Sequence, residues 1–170
     1  EGPHRATRDI DLLVRGDAEP ERMRLLFREI CEQSTPPDGV TFLHETLNIE
    51  ERTVDRVYPG LHVECLATLG TARPRLEIDV AFGEAVLPTP REETIPALLD
   101  LPAPRLLTYQ KETAIAEKCQ AMVHLAELNT RMKDFFDLWY LSREFVFDGA
   151  TLCAALEATF TRRGEAYPPE

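Results

Sequence analysis

The spacing of hydrophobic residues changes period once along this chain, and that change constrains the fold more than any other feature. Up to Phe82 the apolar residues alternate or run together in short stretches bounded by turn residues, as in strands. From about residue 110 they recur at intervals of three and four, as in amphipathic helices. A strand-rich first half and an all-helical second half make an α+β chain with a mixed or antiparallel sheet. At 170 residues, the chain fits one domain, or a small domain with a helical extension, and can bury a real core.

Residues 7–15 alternate and then become continuously apolar, which predicts a strand entering a core and closed by Gly16-Asp17. Glu19-Pro20-Glu21 opens a helix whose stripe is Met23, Leu26, Phe27, Ile30 and Cys31. After a turn at 34–39, strands are expected at 40–43, 46–49, 55–58, 62–69 and, most clearly, 75–82. Five prolines between 87 and 104 predict an irregular crossover. Thr108 reads as the cap of a helix over about 110–128, with Ile115, Cys119, Met122, Val123 and Ala126 on its apolar side. Asn129-Thr130 breaks it; further helices follow over 132–145 and 150–161, with Phe135, Phe136, Trp139 and Tyr140 packing in a core. The expected division is a sheet domain over 1–104 and a helical region over 105–170.

Acidic residues outnumber basic ones by 30 to 19, for a net charge of −11. Proteins that grip duplex nucleic acid by its backbone are basic, so this balance argues against a dedicated DNA binder. An enzyme acting on a nucleotide remains open, because a bound divalent metal inverts the charge of an acidic site. No apolar run approaches the ~20 residues of a membrane helix, and Glu1-Gly2-Pro3-His4-Arg5 does not resemble a signal peptide. No membrane association and a cytoplasmic location are expected. Cys31, Cys65, Cys119 and Cys153 are too far apart for a Cys-x-x-Cys pair and too few to staple the chain; they read as reduced, buried small hydrophobes.

Asp9 and Asp11 stand two apart on the first predicted strand, so their side chains share a face while Ile10 points into the core. Two carboxylates on one rigid element suit Mg²⁺, which prefers oxygen donors and commonly takes one or two carboxylates together with substrate phosphates and waters. Acidic residues are disfavoured in strands, yet a third, Asp79, sits between Ile78 and Val80, with Glu77 on its face; either could be a ligand. Three such carboxylates could hold two cations that brace the attacking and leaving oxygens of an in-line displacement. Arg5 and Thr7 precede the pair and read equally as an exposed arginine and a strand-starting threonine, or as groups lining a phosphate site. In the helical half, Lys118 borders an apolar stripe, where a lysine ordinarily snorkels to water but can neutralise triphosphate charge. Arg131-x-Lys133-Asp134-x-x-Asp137 adds two acids on one helix face, for which dipole complementation is the structural explanation.

Taken together, Arg5-x-Thr7-x-Asp9-x-Asp11-Leu-Leu, Ile78-Asp79-Val80, the helix 116–122 around Lys118 and the run 131–138 resemble the AbiEii-type nucleotidyltransferases, the toxin halves of toxin–antitoxin and abortive-infection systems. The resemblance covers most of the chain in the expected order. It implies a polymerase-beta-like nucleotidyltransferase core followed by a helical half. Asp9, Asp11 and Asp79 would be metal ligands for Mg²⁺, or Mn²⁺ in its place. Lys118 would bind the triphosphate, Arg131 and Lys133 would join the nucleotide site with Arg5 and Thr7, and Asp134 or Asp137 would be the late acidic residue. The implied reaction transfers a nucleotidyl group from a nucleoside triphosphate to an RNA, in some members a transfer RNA, or to a protein; a cognate antitoxin is the implied partner. Family members carry a Gly-Ser or Gly-Gly pair about ten residues before the Asp-x-Asp, where a helix amino terminus would hold phosphates. The sequence starts too late to include it, and missing amino-terminal residues are the expectation. The rivals are a metal-dependent phosphohydrolase on the same carboxylates and a non-catalytic module that keeps the fold.

Overall fold

The computed structural model describes residues 9–16, 19–35, 38–54, 58–83, 86–97 and 100–167. The chain divides into two units, Glu1–Glu84 and Ala85–Glu170, whereas the sequence suggested a boundary at 104/105. The first unit contains β1 (Asp9–Val14), α1 (Pro20–Glu32), β2 (Val40–Val54), β3 (Tyr58–Leu69) and β4 (Arg75–Phe82). They form one mixed sheet in the order β1-β4-β3-β2, with β1 parallel to β4 and the other pairs antiparallel.

Local chemistry explains these elements. Pro20 occupies the first turn of α1, where its missing N–H costs nothing. Gly70, at φ 58°, makes the turn between β3 and β4 in a left-handed conformation that suits glycine. The two short strands expected at 40–43 and 46–49 are one long strand with a break in register between Leu43 and Asn48. Thr46 bridges the break: its hydroxyl donates to the Leu43 carbonyl at 2.7 Å and accepts from the Leu66 N–H at 2.9 Å. A side chain thus restores ladder bonds that the bulge would otherwise leave unmade.

Alternation sorts the sheet into two faces. Leu61, Val63 and Val80 lie on one face, and Met23 and Phe27 of α1 pack onto them with Ile49, while Val14, Leu47, Ile78 and Phe82 are partly buried around the cluster. Each fully buried apolar side chain contributes roughly 1.5–3 kcal/mol. This cover stops short of the start of β1: Ile10 and Leu12 are 47% and 40% exposed, against the expectation that Ile10 enters the core. β1 is an edge strand, and of its alternate residues Val14 joins the cluster.

The second unit holds β5 (Arg91–Thr94), β6 (Arg105–Thr108), α2 (Lys111–Leu125), α3 (Met132–Glu144) and α4 (Gly149–Arg162), with a 3-10 turn over Ala126–Leu128. The proline-rich stretch is therefore not wholly irregular. β5 and β6 pair as an antiparallel ribbon, with Pro90, Pro96, Pro102 and Pro104 outside the paired residues, where no N–H is needed. Thr108 belongs to β6 and donates to the Arg91 carbonyl; Gln110 stands at the N-cap position of α2, with no side-chain capping bond. The buried side of α2 also differs from the expected stripe. Thr113, Ala116, Gln120 and Ala121 are buried with Ile115, and Val123 is exposed. The helix packs on α4 through Ala155, Thr159 and Phe160, and Glu117 accepts hydrogen bonds from Arg162 and Arg163.

Two further expectations give way. Phe135 and Trp139 are 42% and 50% exposed, and only Phe136 and Tyr140 turn partly inward, stacked at 6.3 Å. All four cysteines are free, but Cys65 alone is buried; Cys31 and Cys119 are partly covered and Cys153 is exposed. Among the described residues, no helix is long and apolar enough to cross a membrane.

Candidate functional site

The face of the sheet opposite α1 carries two polar rows fixed by strand register. In one, Asp11 of β1 is level with Asp79 of β4, which is level with His62 of β3, which pairs with Glu50 of β2. In the other, Asp9, Glu77, Glu64 and Asn48 are level in the same way, Asp9 being placed by its backbone. Ladder hydrogen bonds therefore set the spacing of these groups, and a rigid sheet holds them better than a loop could.

The side chains are linked across the strands. His62 Nδ1 and Asp79 Oδ1 are 2.6 Å apart, and His62 Nε2 lies 3.4 Å from Glu64 Oε1, which also accepts from Arg75 at 3.2 Å. The Asn48 amide donates to Glu50 at 3.0 Å. His62 is 5% exposed, whereas the Asp79 side chain keeps 39% of its surface. Like charges directly opposite on neighbouring strands are destabilising. A cation between Asp11 and Asp79 would offset such repulsion.

These donors fit Mg²⁺ by chemistry: both are hard carboxylate oxygens, and the ion normally completes its octahedron with water and substrate phosphates. Among the described residues, no three His, Cys, Asp or Glu side chains converge closely enough to hold a metal by themselves. Arg5 and Thr7 lie outside the described residues.

In the second unit, Lys118 of α2 donates to Asp134 Oδ1 at 3.0 Å and to Asp137 Oδ2 at 2.7 Å, tying α2 to α3. Arg131 Nε lies 3.2 Å from the other oxygen of Asp134, which is 3% exposed. Two cations thus balance two carboxylates. Asp134 stands in the first turn of α3, as dipole complementation requires, but its main partners are these cations. Lys133 is exposed. Nothing local in the sequence singled out His62 or Glu117. His62 alternates with Val63, so its parity put it on the polar face, but only register reveals that it meets Asp79.

A mixed sheet followed along the chain by helices makes this an α+β chain, consistent with a nucleotidyltransferase fold. The chain belongs to the AbiEii family, described as nucleotidyl transferase AbiEii toxin of a type IV toxin–antitoxin system, which matches residues 1–170. No curated protein and no solved structure matches it. Membership suggests a nucleotidyltransferase toxin with a nucleotide substrate and a cognate antitoxin.

Proposed function

We propose that the protein is a Mg²⁺-dependent nucleotidyltransferase that moves a nucleotidyl group from a nucleoside triphosphate onto RNA, a transfer RNA foremost, as the toxin of a cytoplasmic toxin–antitoxin pair. The register of Asp11 with Asp79 on adjacent parallel strands carries this reading. Asp9, Asp11 and Asp79 would hold the ion, Mg²⁺ or Mn²⁺. When bound, it supplies charge neutralisation at the phosphates. In the transfer, an acceptor hydroxyl oxygen bonds to the α-phosphorus, the bond from that phosphorus to the bridging oxygen breaks, and pyrophosphate leaves with the electron pair as the hydroxyl proton passes to water. Lys118 donates to Asp134 and Asp137, which fix its ammonium; by family resemblance it would contribute positive charge to triphosphate binding. Arg131, Lys133, Arg5 and Thr7 would join the nucleotide site, as the family resemblance implies.

The test incubates full-length protein with Mg²⁺, each labelled triphosphate in turn, and total RNA. Label is expected on RNA, and Asp11→Asn or Asp79→Asn should reduce transfer by on the order of a thousandfold, equivalent to several kcal/mol of lost charge stabilisation. Undiminished transfer by Asp11→Asn overturns the mechanism. Label released as free nucleotide points to the phosphohydrolase instead, and label on protein overturns the RNA acceptor.

A further inference from the structure

We infer that His62 is a positioning residue that fixes the Asp79 carboxylate for metal binding. The inference rests on the metal reading proposed above. His62 Nδ1 lies 2.6 Å from Asp79 Oδ1, within hydrogen-bond distance, its other ring nitrogen lies 3.4 Å from Glu64 Oε1, and Arg75 anchors Glu64 at 3.2 Å. One short contact and a side chain that keeps only 6% of its surface hold the ring in place. One oxygen of Asp79 is engaged by the imidazole, and a carboxylate has two oxygens able to accept. The second oxygen is therefore aimed by the first.

Accessibility assigns the roles. The His62 side chain keeps 6% of its surface and Asp79 keeps 39%, so a ligand reaches the carboxylate while the imidazole stays covered. His62 accordingly acts through Asp79. Groups in this relation to a metal ligand typically change affinity or activity by roughly 10- to 100-fold when removed.

The test uses Mn²⁺ as a paramagnetic probe, titrated onto native protein and onto His62→Leu, His62→Asn, His62→Gln and Asp11→Asn, with circular dichroism to confirm folding. An asparagine amide reaches approximately the position of imidazole Nδ1, whereas a glutamine amide reaches that of Nε2. His62→Leu is expected to weaken Mn²⁺ binding by roughly 10- to 100-fold, His62→Asn to recover most of the loss, and His62→Gln to recover little. In the transfer assay, the metal concentration for half-maximal rate should rise more than the saturating kcat falls. Native affinity in His62→Leu, or equal affinity in the Asn and Gln variants, overturns the inference. If the leucine variant fails to fold, the Asn and Gln pair still decides. When Asp11→Asn weakens binding but His62→Leu does not, only the role of His62 falls. When native protein and Asp11→Asn are alike in binding no Mn²⁺, the metal reading itself falls.

Discussion

Lys118→Met should destabilise the helical unit far more than its position at the edge of an apolar stripe suggests. The Asp134 side chain is 5% accessible and has two cationic partners, Lys118 at 3.0 Å and Arg131 at 3.2 Å. Removing one partner of a buried ion pair costs about 3–5 kcal/mol, because the other charge stays desolvated. Arg131 remains, and Asp137, with 19% of its side chain exposed, can turn to water. The expected loss therefore falls at or just below the lower end of that range, about 2–3 kcal/mol. Replacing both charges, as Lys118→Met with Asp134→Leu, should recover most of that, since apolar substitutes of similar volume often match a buried pair. The two changes should couple by at least about 1.5 kcal/mol. Trp139, the single tryptophan, lies on α3 beyond Asp134, so its fluorescence during urea unfolding reports this unit. With a slope of roughly 1–3 kcal/mol per molar urea, the midpoint of Lys118→Met should fall by on the order of 1–2 M. A shift below about 0.3 M, or strictly additive effects in the double variant, would refute the reasoning.

Asp148 caps α4: its carboxylate accepts from the Thr151 hydroxyl at 2.7 Å and the Thr151 N–H at 2.8 Å, and these bonds hold its pKa below the ordinary 3.8. A depressed folded-state pKa stabilises at pH above the unfolded value and is lost as pH falls through the folded one. Asp148→Ala should therefore lower the thermal midpoint at pH 7, and the gap from native protein should close on acidification below 3.8; a gap independent of pH counts against the cap. Burial first, then the Cys65 thiol, pushes the Cys31 pKa up to about 11, whereas Cys153 is exposed. Alkylation at pH 8 should mark Cys153 at least roughly tenfold faster than Cys31, and mass spectrometry showing equal rates would contradict this.

Elements with local punctuation were legible in the sequence. Glu19-Pro20-Glu21 marked the start of α1, Asn129-Thr130 separated α2 from α3, and the turns around β4 bounded it. Features that depend on distant partners were not. The polar pair His44-Glu45 looked like the end of a strand, because nothing local shows that Thr46 carries the ladder across. Prolines suggested a crossover because their compatibility with the ends of β5 and β6 depends on which residues pair. The buried side of α2 was misread because Thr113 is satisfied by the Leu87 carbonyl at 2.9 Å and Glu117 by two arginines of the α4 end. For the site, strand aspartates were conspicuous because strands avoid them. Their alignment, and the meeting of Asp79 with His62, followed only from sheet order.

The position of β1 has a thermodynamic corollary. As an edge strand it is held by ladder bonds to β4 on one side, while Ile10 and Leu12 contribute less burial than central residues do. Local opening in proteins draws on such weakly held segments. A ligand that bridges Asp11 and Asp79 binds only when β1 is docked, so its binding energy is also docking energy for the strand. Occupancy of such a site and integrity of the sheet edge would then be two readings of one equilibrium: whatever stripped the ligand would loosen the strand, and whatever peeled the strand would dismantle the site.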